Sequence, residues 1–252
     1  MAATDSDSVS QLRTIRKRTE MSQRYYDTVT QMIRSQAYRE MAAAVVFAEA
    51  LGYVPTLEFK KQVVKHVEEE LEHYEVCCQL YDELGAGDLD AICSRKLAGE
   101  RPIPRIESFL ELGMAQLLYD CASAFQLQEY ENSSFDPYCR VIGKILEEEQ
   151  GHEDFGAEIV IQHARDPELR PQAQVIFNRW LAVSMQSFGR PQTEGNRYAV
   201  SVGLKTRDSC AVAQDYLDSL KSTMRVCGLV FPTREQLAAM GVETFHCVDL
   251  SL

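Results

Sequence analysis

Apolar positions recur at intervals of three and four residues through most of the chain and almost nowhere alternate, so the pattern predicts helices rather than strands. A first run covers about 10–52 and stops at Gly52, with Pro55 shortly after. Thr56 is placed to cap the next run, which has Glu58 in its first turn and lasts to Leu84, before Gly85 and Gly87. A short helix is expected over 88–98, and Gly99 to Pro104 form a loop. A third long helix spans about 106–131 and closes at Asn132-Ser133-Ser134; a fourth spans about 136–165, with Pro137 tolerated near its first turn. Further runs cover about 168–188 and 206–226, separated by breaks at Gly189-Arg190-Pro191 and Thr193-Glu194-Gly195. The tail from Cys227 reads as irregular, with one short helix near 233–240. Four helices of this length, joined as two hairpins by a longer connection, predict an all-α four-helix bundle with additional C-terminal helices.

Composition narrows the function. The 252 residues carry 26 Lys and Arg against 38 Asp and Glu, a formal charge of −12, which repels phosphate backbones and argues against a nucleic-acid partner. No uncharged apolar run is long enough to span a bilayer, so no membrane partner is expected. The N-terminus lacks the basic and apolar regions of a secretion signal, so a cytoplasmic location is expected. The eight cysteines, at 77, 78, 93, 121, 139, 210, 227 and 247, form no CxxC pair and are expected to be reduced packing residues. No linker composition divides the chain. The expectation is one domain over 1–252: residues 1–9 disordered, a core bundle over about 19–165, and accessory helices with a tail over 166–252.

The chemistry lies in acids on apolar faces. The apolar stripe of the second helix, through Phe59, Val63, Val67, Cys77 and Leu80, also passes through Glu70 and His73; that of the fourth, through Tyr138, Ile142, Ile145 and Ile159, passes through Glu149 and His152. A carboxylate and an imidazole three residues apart share a helix face, and burying that carboxylate alone costs several kcal/mol, about what a cation would offset. Glu-x-x-His is a weak signal by itself, with on the order of 0.5 chance matches expected here. The chain holds three, and Glu243/His246, outside any long periodic run, is read as coincidence. The other two each have an upstream acid on an apolar stripe. Glu40 lies thirty residues before Glu70 and Asp120 twenty-nine before Glu149, so that each hairpin returns the chain to the same height. Two copies of acid, then Glu-x-x-His, form the ligand pattern of dinuclear carboxylate sites in helical bundles. The flanking Glu68, Glu69, Glu72, Glu75, Glu147 and Glu148 are read as a solvated face.

These motifs resemble the ferritin-like phenylacetic acid catabolic proteins, in particular the catalytic subunit of phenylacetyl-CoA epoxidase, over about Arg39 to Pro191. The order Glu40, Pro55-Thr56, Glu70/His73 is similar, as are Asp120, Ser134-Phe135-Asp136-Pro137-Tyr138 with Arg140, Glu149/His152, and the stretch from Arg179-Trp180-Leu181 to Phe188-Gly189-Arg190-Pro191. The resemblance implies a ferritin-like four-helix bundle and two iron ions, with manganese–iron or dimanganese as alternatives. One ion would be bound by Glu40, Glu70 and His73, the other by Asp120, Glu149 and His152, with one bridging carboxylate from each Glu-x-x-His pair. It implies a monooxygenase using O2 as co-substrate to epoxidise, hydroxylate or N-oxidise a small organic substrate, aromatic or bound to CoA or a carrier. The residues around the first motif are more acidic than expected for that subunit, and no counterpart is recognised in the sequence after Gly195.

The chain carries no dinucleotide fingerprint and no cysteine set for an iron–sulfur cluster, so an oxygenase would need an external reductase or ferredoxin. Pocket walls are expected from the first and third helices, with Phe47, Phe109 and Gln116 as candidate lining. A homodimer, or a heteromer with a sister subunit, is the family-level expectation. The competing reading is a ferritin-like protein that stores metal or serves as a non-catalytic scaffold of an oxygenase complex.

Overall fold

The computed structural model describes residues 14–99, 103–242 and 245–251. The segment 1–9, expected to be disordered, lies outside them. The long helices are α1 (Gln23–Ala50), α2 (Leu57–Glu83), α6 (Asp136–Ala164), α7 (Arg170–Ser187) and α9 (Ser209–Cys227). The shorter ones are α3 (Leu89–Gly99), α8 (Glu194–Ser201) and α10 (Arg234–Ala239). The third bundle helix is composite: α4 (Phe109–Ala115), a π turn over Gln116–Asp120, and α5 (Cys121–Gln128).

Local chemistry sets these boundaries. Ser22, Thr56 and Ser108 cap α1, α2 and α4 by accepting from the backbone N–H three residues on. Pro137 sits in the first turn of α6, where its missing N–H costs nothing. Gly228 closes α9 in the left-handed region at φ 66°. Of the run expected over about 10–52, residues 10–13 lie outside the described residues; from Ile15 the described chain is first extended and bridged to Phe135, then makes a 3₁₀ turn at Arg18–Glu20, and α1 starts at Gln23 behind the Ser22 cap. The expected break at Thr193-Glu194-Gly195 is instead the start of α8: Thr193 is its N-cap, accepting from Asn196.

α1 pairs with α2, α4–α5 pairs with α6, and the two hairpins join through α2 and α6. α7 and α9 pack on the second hairpin. Glu111 on α4 anchors α7, accepting from Trp180 Nε1 at 2.9 Å and pairing with Arg179. Glu129 anchors the segment before α9, accepting from Arg207 Nε at 2.9 Å and the Arg207 N–H at 2.6 Å. α6 and the composite helix meet backbone to backbone: a Cβ on Gly156 would lie 2.5 Å from Leu117 N, and one on Gly113 2.6 Å from Ile159 Cβ. The fold is an all-α, ferritin-like bundle with additional helices. Among the described residues, no helix is long and apolar enough to cross a membrane.

The expectation of eight reduced cysteines fails at one pair. Cys210, at the start of α9, is disulfide-bonded to Cys247 in the tail, 37 residues on. The tail folds back along α9, with Asp249 N donating to Gln214 Oε1 at 2.6 Å. That return is tertiary, so spacing along the chain did not disclose it. Cys77, Cys78, Cys93, Cys121, Cys139 and Cys227 are free.

Candidate metal centre

The buried apolar residues form two clusters, and a polar layer separates them. On α1, Ala37 belongs to one cluster and Ala43 to the other; on α2, Cys77 and Val63; on α6, Ile145 and Phe155. Glu40, the Glu70/His73 pair and the Glu149/His152 pair sit at the change-over on each helix, because they occupy the inward stripe at the same height. All six candidate ligands, Asp120 included, are at most 2 % exposed.

Their donor atoms converge in two groups, Glu40, Glu70, His73 and Glu149 in one, Glu70, Asp120, Glu149 and His152 in the other, each drawn within 4.8 Å. Glu70 and Glu149 belong to both. His73 Nδ1 lies 3.8 Å from Glu40 Oε2 and 3.8 Å from Glu149 Oε1. His152 Nδ1 lies 3.4 Å from Glu70 Oε1, 3.6 Å from Asp120 Oδ2 and 3.9 Å from Glu149 Oε2. Most of these separations are too long for hydrogen bonds. Atoms that each lie about 2.0–2.2 Å from one cation would stand roughly 3–3.5 Å apart. Both imidazole Nδ1 atoms and one oxygen each of Glu70, Asp120 and Glu149 are buried without a hydrogen-bond partner. Buried polar atoms are rarely left so, and these converge. The donor set, four carboxylates and two imidazoles, suits borderline-hard divalent cations.

The charges carry the same strain. Burial, reinforced by the other acids, pushes the carboxyls of Glu70 and Glu149 well above the usual range. Burial lifts Asp120 to about 6 even with His152 opposing it. Burial also acts against the charge on Glu40, but His73 outweighs it and holds that carboxyl below its ordinary value. Both imidazoles rise although burial works against their charge: His73 to about 9, through Glu40 first, and His152 well up, through Asp120 and Glu69. A cation bound here would compete with protons for the raised carboxyls and imidazoles.

Two acids read as solvated belong to this centre. His73 Nε2 is 3.0 Å from Glu148 Oε2, and His152 Nε2 is 3.2 Å from Glu69 Oε2. Each Glu-x-x-His helix thus supplies, from the residue before its ligand Glu, the carboxylate that holds the other helix's imidazole. The signal was present as a repeated Glu-Glu-x-x-His, but a run of three acids on an amphipathic helix looks the same whether its middle member faces water or crosses to a neighbour. A third imidazole was also missed. His66, one turn before Glu70, is buried, stacks on His152 with centroids 4.2 Å apart, and has its Nδ1 2.8 Å from Gln116 Nε2. Burial, with His152 beside it, lowers its pKa to about 3, so it is neutral.

Of the residues proposed to line a pocket, Gln116 is fully buried in the π turn against His66, Phe47 lies in the core, and Phe109 stacks on Phe59 at 5.3 Å. A cleft of about 550 Å³ opens elsewhere, between α1, α5, α7 and α8, and reaches Tyr38 and also Arg39 and Tyr119, the chain neighbours of Glu40 and Asp120. Its lining includes Arg39, Lys96, Arg190 and Lys205 and no carboxylate. His246 is exposed and outside the centre; Glu243 lies outside the described residues.

Compared with known families, residues 2–251 match the model of the phenylacetic acid catabolic protein. No curated protein matches the chain.

Proposed function

The chain belongs to the phenylacetic acid catabolic protein family, and from that premise we propose that it is a non-haem di-iron monooxygenase acting on a small anionic organic substrate. One observation carries this: two buried donor clusters share Glu70 and Glu149, the arrangement that two adjacent cations require. Glu40 and His73 would hold one ion, Asp120 and His152 the other, and Glu70 and Glu149 would bridge them. When bound, the iron pair supplies the two-electron chemistry that activates O2.

The chain's own residues do the rest. Glu148 and Glu69 lie at Nε2 of His73 and His152 and would accept from it once a cation takes the opposite nitrogen, Nδ1, of each ring. Gln36 donates to Glu40 and is in turn held by Arg39, so the outer side of that ligand is fixed from the cleft. The apolar clusters on either side exclude bulk water. Four cationic side chains in a cleft without acids, on a chain of net charge −12, favour a carboxylate- or phosphate-bearing substrate. Two electrons per turnover come from a separate reductase or ferredoxin, since no flavin, nicotinamide or iron–sulfur motif is present in the sequence.

The test is anaerobic loading with Fe(II), then O2 consumption with a surrogate reductase across aryl carboxylates, acyl thioesters and their neutral analogues. Substrate-dependent uptake with one oxygen atom in the product supports the proposal. Uptake that is indifferent to substrate, with iron deposited, would make the chain a ferroxidase; no uptake at all would make it a scaffold.

A further inference from the structure

Of the four cations that line the cleft, one has bonds that lead to the metal centre. Lys96 sits over the Tyr38 ring, its Nζ 3.7 Å from the centroid, and Lys205 donates to Ser209 Oγ at 3.2 Å. Arg39 instead reaches in two directions. Its Nη1 donates to Gln126 Oε1, and Gln126 is itself tied to α7 by donating to Ser187 Oγ at 2.9 Å. Its Nη2 donates to Gln36 Oε1, and the Gln36 amide nitrogen donates to Glu40 Oε1. Two side chains thus join the cleft to a candidate ligand. Gln36 is only 1 % exposed, so bulk water does not replace either of its bonds.

The cleft end of this chain of bonds is unsaturated. Both terminal nitrogens of Arg39 bond neutral amide oxygens, and its Nε is buried with no partner. Hydrogen bonds to a charged partner are roughly twice as strong as neutral ones, and the planar guanidinium fork matches a carboxylate or phosphate. An anion in the cleft therefore outcompetes the amides for Arg39. Once Nη2 turns toward it, Gln36 loses the donor that orients it, and Glu40 Oε1 loses its fixed donor in turn. Gln36 thus has two discrete arrangements, held or released, and both the cleft and the centre bias the choice. Building on the reading of the cleft as the substrate site, we propose that Arg39 and Gln36 are positioning residues that couple binding of an anion in the cleft to the way Glu40 holds its ion.

Cobalt(II) loaded anaerobically into the full-length protein reports on this without turnover, through its visible absorption and its affinity. Benzoate and inorganic phosphate are the anion probes, and benzamide is the uncharged control. In the wild type, anion binding should alter the cobalt spectrum and change cobalt affinity by about fivefold or more; the same factor should separate the anion's affinities for cobalt-loaded and metal-free protein. Benzamide should do neither. Gln36→Leu should still bind the anion but lose the spectral change and the affinity change. Arg39→Lys should keep most of the anion affinity and lose the response, because an ammonium has no rigid fork to share between Gln36 and the anion. Lys205→Gln should weaken the anion and keep the full response at saturation. A wild type that binds anion with its cobalt unchanged, or a Gln36→Leu variant that responds in full, would overturn the relay and leave the reading of the cleft standing. Binding of neither anion would overturn that reading and the relay together. Failure to take up cobalt would overturn the metal centre, on which the relay depends.

Discussion

The two hairpins repeat each other in ligand type and spacing, yet they present their single acids by different means. Glu40 rides on an uninterrupted α-helix and is held by polar neighbours: Gln36 donates to it, and Arg39 is next in the chain. Asp120, one methylene shorter, closes a π turn, keeps one oxygen without a partner, and has no such escort. There the backbone does the positioning. Gly113 and Gly156 let the composite helix and α6 approach without side chains between them, and the wider π turn re-aims the segment that carries Asp120. Equivalent candidate ligands can thus be placed by side-chain hydrogen bonds in one half and by backbone shape in the other.

Substitutions can break that comparison at several depths. Removing a shared ligand ignores the distinction between halves, so Glu70→Ala or Glu149→Ala should abolish binding of both ions, a loss of at least ~100-fold in affinity by metal titration. Much of the helical circular dichroism should remain, since the bundle keeps its apolar clusters. Exchanging the single acids sharpens it: Glu40→Asp and Asp120→Glu should each weaken one ion by about tenfold and spare the other, because reach and backbone are matched separately in each half. Loss of both ions from either exchange would mean that the halves are not independent. Neutralising the crossed carboxylates, Glu69→Gln or Glu148→Gln, should weaken the ion held by His152 or His73 by about 10-fold, read by the same titration.

Gly156→Ala probes the backbone device. The added Cβ meets Leu117 N and Gly113 O, neither of which can turn aside, so destabilisation of about 1–3 kcal/mol is expected in urea unfolding. Occupancy should fall more in the Asp120 half than in the Glu40 half. Smallest of all, His246→Ala should leave metal content unchanged, as its exposed position requires.

What the sequence made legible follows the same division. Helical period, caps and the recurrence of acid, then Glu-x-x-His, disclosed the bundle and six residues that do converge, because those signals are local or repeat at a spacing a hairpin explains. The π turn was not legible: Gln116 to Asp120 continue the α-helical apolar pattern, and the close approach of Gly156 to Leu117 and Gly113 beside it is a tertiary contact. The roles of Glu69 and Glu148 depend on the crossing of α2 and α6, and the Cys210–Cys247 bond on the return of the tail. Helix α8 was hidden because Thr193-Glu194-Gly195 reads equally as a cap or a break.

Mössbauer spectroscopy of the protein loaded with iron-57 tests the dinuclear centre most directly. Two antiferromagnetically coupled irons per chain are expected, as ions bridged by Glu70 and Glu149 would be. A single uncoupled iron, or none retained, would contradict the centre and reduce the six residues to a buried polar network.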